Sequence, residues 1–464
     1  MTTTAPPAGI ARPLDLRARL DAAVRAGAGA LLWLGLLLVT YWWVADGGIQ
    51  DLGVWADGLT SIGRISALWS SVLLLAQVVL MARVPLLEHA FGQDRLTRIH
   101  RIVGFTSFDL MLVHVVLITW GYAAGRIGSV PATFWNLTVD YPGMLLAVVG
   151  TLCLVMVVVT SVRASRRRLR YESWHLLHLY AYLGVGLALP HQLWTGAQFL
   201  DRSGATLFWW GAWAFAAGSV LVWRVGLPVV RNLRHGLRVA AVVPEAPGVL
   251  SVWVTGRRLE LLHAEAGQFF TWRFLGRRGW TRANPYSLST APDGRHLRIT
   301  VEVVGDGSAA LAGLQPGTRV LAEGPFGRLS ARSRTRRKVA LVGAGVGIVP
   351  LRALAEGLAY GPGEAVLLHR YRASALFRDE LETLAQWRGL RIVGLPGPRR
   401  GPSSWIGSDA PPVDDATALL GLVPDLAERD VYVCGPPGWT DAFTRSATVA
   451  GLPVDQLHVE TFGW

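Results

Sequence analysis

Two patterns of apolar residues divide this chain. The first half carries long apolar runs broken by arginine-rich polar turns; the second carries short runs punctuated by Gly and Pro. Six runs, at 27–45, 67–85, 100–122, 142–162, 172–192 and 205–227, are long enough to cross a hydrocarbon core of about 30 Å as helices. After Arg238 the pattern shortens. Leu237–Val243, Leu250–Thr255, Phe269–Phe274 and Leu297–Val303 predict strands of an antiparallel β-barrel. From Lys338, the strands Val339–Val342, Ala365–His369, Leu390–Val393 and Asp430–Val433 alternate with helical stretches, the βαβ rhythm of a parallel sheet.

The expected architecture is multidomain. A cytoplasmic or interfacial segment covers 1–26, amphipathic from Pro13 with Arg17, Arg19 and Arg25 among Leu and Ala. A six-helix transmembrane bundle follows over 27–230, then an antiparallel β-barrel over 231–335 and an α/β parallel-sheet domain over 336–464. Ser330–Arg337 is the expected join between the last two. Gly27–Val44 runs into Trp42 and Trp43 without a small-residue cleavage site, which argues against a cleaved signal peptide.

Charge refines this picture. The formal charge of +13 would suit nucleic acid, but the basic residues cluster at the ends of apolar runs. Arg12, Arg17, Arg19 and Arg25 precede the first span, and Arg83, Arg95, Arg98 and Arg101 follow the second. Arg163, Arg166, Arg167, Arg168 and Arg170 follow the fourth; Arg231, Arg234 and Arg238 follow the sixth. The alternate loops hold only Arg64, Arg126 and Arg202, so both termini are expected in the cytoplasm. The partner implied is membrane lipid in a bacterial-type plasma membrane, and no nucleic acid. Cys153 and Cys434 are the only cysteines, too few for an iron–sulfur cluster, which needs about four protein ligands.

Five histidines lie in two of the apolar runs. Ionisable groups are expensive in hydrocarbon and mark function there. His100 and His114 are on the third run; His175, His178 and His191 are on the fifth. Helical rise separates His100 from His114 by about 21 Å and His178 from His191 by about 20 Å. Both runs cross in the same direction, so His100 pairs in depth with His178, and His114 with His191. Neutral imidazoles are good iron ligands, and two such pairs are expected to hold two haems. A fourteen-residue step returns His114 to within roughly 40° of the His100 face, whereas thirteen residues leave His191 roughly 140° from His178. His175 is an alternative inner ligand, and a proton path is the competing use of such a histidine chain.

Further on, Arg282–Ser289 reads RANPYSLS, shortly after Gly267–Gln268–Phe269. Gly305–Asp306–Gly307–Ser308 and Gly324–Pro325–Phe326–Gly327 follow in order. Gly343–Ala344–Gly345–Val346–Gly347 with Pro350 lies after a predicted strand, where glycines let backbone N–H groups approach a pyrophosphate. Cys434–Gly435–Pro436–Pro437–Gly438 and the terminal Glu460–Thr461–Phe462–Gly463–Trp464 complete the set. From about residue 60 onward the chain resembles the ferric reductase and NADPH oxidase family, a haem-bearing membrane domain fused to a ferredoxin-reductase-type flavoprotein. Tyr171–Glu172–Ser173–Trp174 before His178 resembles that family's fifth-helix pattern and favours His178 over His175.

The resemblance implies FAD, two haem b, and NADPH or NADH. It implies that Tyr286 packs on the flavin ring, with Ser287 near its N5, that Leu288 and Ser289 continue the segment, and that Gly305, Gly307 and Ser308 meet phosphate. Asn284 stands where the family usually has Arg or His, and Arg282 is the nearest compensating charge. Gly343, Gly345, Gly347 and Pro350 would receive the dinucleotide. Cys434, Gly435 and Pro436 would lie by the nicotinamide, and Phe462, or Trp464 in its place, over the flavin ring. Arg399 and Arg400, with Arg370 and Arg372 as rivals, are candidates for a 2′-phosphate. The implied reaction passes electrons from cytoplasmic NAD(P)H through FAD and the haems to an acceptor outside: ferric chelate, oxygen, quinone, or a partner protein.

Overall fold

The computed structural model describes residues 11–162, 171–196, 203–276 and 279–461. The Arg163–Arg170 cluster, Arg202, Phe462 and Trp464 therefore lie outside the described residues. Two compact units divide the chain: Ala22–Gly226, and Leu227–Trp464 with residues 1–21.

The first unit is helical. Helix α1 (Ala11–Ala45) runs unbroken through residue 26, because its first turns are rich in Ala, Leu and Arg, all good helix formers. Helix α2 (Trp55–Met81) starts well before residue 67. Its first half carries serines that lowered the apparent hydropathy, yet they bury by bonding to backbone carbonyls. Ser66 donates to Ile62 in its own helix, and Ser70 reaches the Ser107 carbonyl at 2.7 Å. Arg64 is therefore in α2, not in a loop, and pairs with Asp51 at 3.7 Å. Helices α3 (Gln93–Tyr122), α4 (Met144–Ser161) and α5 (Tyr171–Thr195) follow. The segment expected as the second outer loop includes a helix over Val130–Asp140. Helix α6 (Ser203–Ser219) continues as a π-helical stretch, Val220–Gly226.

Among the described residues, five helical stretches, Arg19–Ala45, Trp55–Met81, Arg95–Tyr122, Met144–Ser161 and Ser203–His235, are long and apolar enough to cross a membrane. Helix α5 is long enough, but is not among those five. Its three histidines, Pro190 and Gln192 offset its leucines. Small residues bring helix pairs close, as in membrane bundles generally. A Cβ on Gly150 of α4 would lie 2.7 Å from the Gly184 carbonyl oxygen of α5. Leu74, Leu154 and Val185 form a core that Phe108, Met111 and Trp213 flank.

The second unit opens with helix α7 (Leu227–His235) and two antiparallel sheets. One has the order β1 (Arg238–Ala246), β2 (Val249–Thr255), β5 (His296–Glu302); the other has β4 (Asn284–Ser287), β3 (Phe269–Phe274), β6 (Val320–Phe326). They share one core, in which Phe270, Trp272 and Phe274 alternate inward from β3 against Val252, Val254 and Ile299. Each such side chain contributes about 1.5–3 kcal/mol by burial.

A five-stranded parallel sheet follows, ordered β11 (Leu457–Thr461), β10 (Arg429–Gly435), β7 (Lys338–Ala344), β8 (Ala365–Arg370), β9 (Arg391–Leu395). Strand β10 is buried throughout, as befits a strand covered on both faces. The order reverses between β7 and β10, and ligands of such sheets bind beyond the strand ends at that point.

Candidate functional site

The histidines of the first unit come together across α3 and α5. The His100 and His178 rings face each other with centroids 6.1 Å apart and planes inclined by 69°. A metal–imidazole nitrogen bond is about 2 Å long, so two rings gripping one iron from opposite sides have centroids roughly 6 Å apart. His178, not His175, makes this approach. His114 and His191 lie within electrostatic range of each other.

The ring nitrogens fit metal ligation. His114 Nδ1 lies 3.0 Å from the Gly63 carbonyl of α2, which takes the Nδ1 proton and leaves Nε2 its lone pair. His178 Nδ1 lies 3.3 Å from Ser161 Oγ. Nδ1 of His100 and of His191 is buried with no hydrogen-bond partner among the described residues. The His100–His178 approach fits two imidazoles on one haem iron, and His114 with His191 offers a second pair of the same donors. The backbone of His191 is itself seated on α4's start, since a Cβ on Gly143 would lie 2.8 Å from its nitrogen.

In the second unit the Arg282–Ser289 segment becomes β4 and its continuation. Tyr286 stands opposite Phe270 on β3, and its carbonyl accepts from the Trp272 indole at 3.0 Å. Asn284 Nδ2 is a buried donor without a partner among the described residues. Its Oδ1 would lie 3.9 Å from a Cβ on Gly307, so Asn284 adjoins the Gly305–Ser308 turn. An orphaned donor beside a glycine turn fits a flavin pyrophosphate. Ser287 and Leu288 are buried, and Leu288 packs in the core that the two antiparallel sheets share. Ser308 instead ties its own turn together, accepting from the Val304 and Gly305 N–H groups.

Ser289 also serves structure. Its hydroxyl accepts from Arg298 Nε and from Thr300, both at 2.9 Å, within a buried network of Arg298, Glu380 and Arg352. Arg298 is 3% exposed and lies over the Trp253 and Phe377 rings.

At the parallel sheet, Glu460, Cys434, Gly343, His369 and Gly394 form one rung across all five strands. A Cβ on Gly347 would lie 2.1 Å from the Cys434 carbonyl oxygen, so the glycine turn rests directly on the cysteine strand. Gly345 has φ +55, a conformation natural to glycine, and is exposed at the turn. Pro350 is buried in the following helix, α8 (Ile348–Gly357); Gly435 packs against Trp439, and Pro436 caps α9 (Pro437–Val449). Burial, and then the neighbouring Glu460, push the Cys434 thiol well above its ordinary range, so it stays protonated. Glu460 comes beside Cys434 because Leu457–Thr461 is a fifth parallel strand, which the terminal aromatics do not signal.

The arginine candidates separate. Arg370 is buried and donates to the Leu395 and Gly397 carbonyls at 2.7 and 2.6 Å. Arg400 donates to Val413, Ala410 and Pro411 carbonyls, and Arg399 to Ser404 and Pro402. Arg372 is exposed and, with Arg399, within electrostatic range of Arg370.

Residues 66–189 match the family described as ferric reductase like transmembrane component, a span that includes His100, His114 and His178 but stops short of His191. The chain is 32% identical over 213 residues to the ferredoxin–NAD(+) reductase component of an alkene monooxygenase system from Xanthobacter autotrophicus, covering 43% of this chain and 62% of that protein. It is 30% identical over 239 residues to the ferredoxin reductase component of 3-ketosteroid-9-alpha-monooxygenase from Mycolicibacterium smegmatis, covering 49% and 65%. A flavohemoprotein of Deinococcus radiodurans is 28% identical over 267 residues, covering 54% and 63%. The chain thus spans less than two thirds of the length of these relatives. Among solved structures, the cytochrome P450 reductase GcoB of Amycolatopsis aligns over 49% of this chain and 69% of that one, at 23% identity and a TM-score of 0.41.

Proposed function

From the premise that a ferric-reductase-like transmembrane component and a ferredoxin-reductase-type reductase module share one multi-pass membrane chain, we propose a transmembrane oxidoreductase. It takes electrons from cytoplasmic NAD(P)H and delivers them to an acceptor on the outer face: a ferric chelate, oxygen or a quinone. When bound, FAD turns a hydride into single electrons and two haem b irons relay them. The observation that carries this reading is the facing of His100 and His178 at 6.1 Å on two apolar helices.

The chain's own residues do the rest. His100 with His178, and His114 with His191, would hold the two haem irons through their imidazole nitrogens. Asn284 and the Gly305–Gly307 turn offer neutral donors to the flavin pyrophosphate, with Arg282 nearby in sequence as the cation. Tyr286 and Ser287 line the flavin ring. Gly343, Gly345 and Gly347 give the dinucleotide backbone N–H groups at the start of α8. Cys434, held as a neutral thiol, adds no negative charge beside the nicotinamide. Arg372 favours NADPH, since it is exposed at the β8 end, whereas Arg370, Arg399 and Arg400 donate to backbone carbonyls. Both termini would be cytoplasmic, and Phe462 or Trp464 would cover the flavin ring.

A second reading keeps the electron path but ends on a partner protein; it is favoured by the relatives' being reductase components of oxygenase systems. The test is anaerobic addition of NADPH or NADH to the detergent-solubilised full chain with FAD. Reduced-haem bands support the proposal in either form, and their absence removes it.

A further inference from the structure

The four histidines of α3 and α5 are held by different neighbours. His114 Nδ1 lies against the Gly63 carbonyl and His178 Nδ1 against Ser161 Oγ, whereas His100 and His191 adjoin the backbone of Gln77 and Ala188. Ser161 is the last residue of α4, and its hydroxyl meets two side chains of α5 one turn apart. Trp174 Nε1 donates to Ser161 Oγ at 3.3 Å, and His178 Nδ1 lies 3.3 Å from the same oxygen. The indole and imidazole rings are 5.0 Å apart and inclined by 34°.

The donor roles follow from chemistry. An indole N–H can only donate, so Ser161 Oγ accepts from Trp174. An imidazole that offers Nε2 to a metal carries its proton on Nδ1, so His178 also donates, to the oxygen's second lone pair. We infer that Ser161 is a positioning residue for the haem held by His100 and His178, fixing the tautomer and orientation of His178 and raising its basicity as a ligand. A hydrogen-bonded Nδ1–H is the usual lever of this kind at metal sites. A more basic imidazole favours the ferric state, so losing the acceptor raises that haem's reduction potential. At 3.3 Å the bonds are long, and their loss shifts the site rather than abolishing it.

This inference rests on the haem reading above, and its test separates the two. Full-length protein in detergent is titrated reductively, with the haem absorption bands and low-temperature EPR followed together. Ser161→Ala is expected to keep both haems, to raise the potential and move the low-spin signal of one, and to leave the other in place. Ser161→Thr, which restores the hydroxyl, returns both readings. Trp174→Phe, which leaves the hydroxyl on His178, moves the same signal by less. Loss of one haem from Ser161→Ala with recovery in Ser161→Thr supports the same role. If Ser161→Ala loses both haems, Trp174→Phe decides: a shift of one signal supports the inference and no shift overturns it. Ser161→Ala with both signals unmoved, or both shifted alike, overturns it. Wild-type protein without haem removes the reading beneath it.

Discussion

Gly347 and Cys434 are in backbone contact: the position a Gly347 Cβ would take is 2.1 Å from the Cys434 carbonyl oxygen. The turn proposed for the dinucleotide phosphates and the cysteine proposed for its nicotinamide end are therefore one rigid feature at the reversal point of the sheet. Gly347→Ala must push turn and strand apart. Overpacking of this kind costs about 1–3 kcal/mol. NADPH affinity is expected to fall at least tenfold, measured by equilibrium titration, while haem content stays unchanged.

The Arg298–Glu380 pair joins the antiparallel sheets to the parallel-sheet domain. Arg298 Nη1 and Nη2 meet the two Glu380 oxygens at 2.7 and 2.9 Å, and Arg298 is 3% exposed. Removing one partner of a buried pair strands the other, at about 3–5 kcal/mol. Glu380 is about a third exposed, so Glu380→Ala is expected at the lower end of that range. Thermal unfolding followed by flavin fluorescence should register a fall of several degrees.

His369 makes the second unit acid-sensitive. Burial, only partly offset by a backbone hydrogen bond at Gly345, lowers its pKa to about 4. The unfolded chain takes up this proton near pH 6.5. Unfolded protein thus binds more protons between about pH 6.5 and 4, and stability falls as pH drops through that window. His369→Leu is expected to flatten the melting temperature against pH there, and to raise it at pH 5, where wild type bears the linkage cost.

Asp425 acts in a lower window. Partial burial opposes its ionisation, but hydrogen bonds from Arg429 and Lys338 outweigh this and hold its pKa at about 2. Its stabilisation is complete above the ordinary carboxylate range near pH 4 and lost as pH falls toward 2. Asp425→Asn should remove that lowest segment of an acid-unfolding curve and leave the His369 segment intact.

Much of this was legible because membranes and parallel sheets impose strong patterns. The strands from Val339 to Val433 were placed within a residue or two, since strands buried on both faces read as near-continuous apolar runs. Helix α2 was misplaced at its start because hydropathy sees a serine as polar, whereas Ser61, Ser66 and Ser70 bury by bonding to carbonyls. Helix α5 shows the opposite: the histidines that make it interesting also lower its hydropathy. Matched depth on two helices pairs His100 with His178, whereas an ideal-helix rotation leaves His191 off the His178 face. Arg370 and Arg400 looked like phosphate ligands in sequence, and only the carbonyls around them show where their donors go. Ser161 was invisible, since nothing local links the end of one helix to a histidine seventeen residues on.

Haem stoichiometry tests the central claim most directly. Protein from cells grown with ample haem, assayed by the reduced pyridine haemochrome method, should carry two haems per chain. His178→Leu should carry one, and His175→Leu still two. A colourless wild-type protein, or a His178→Leu variant retaining both haems, would contradict the account.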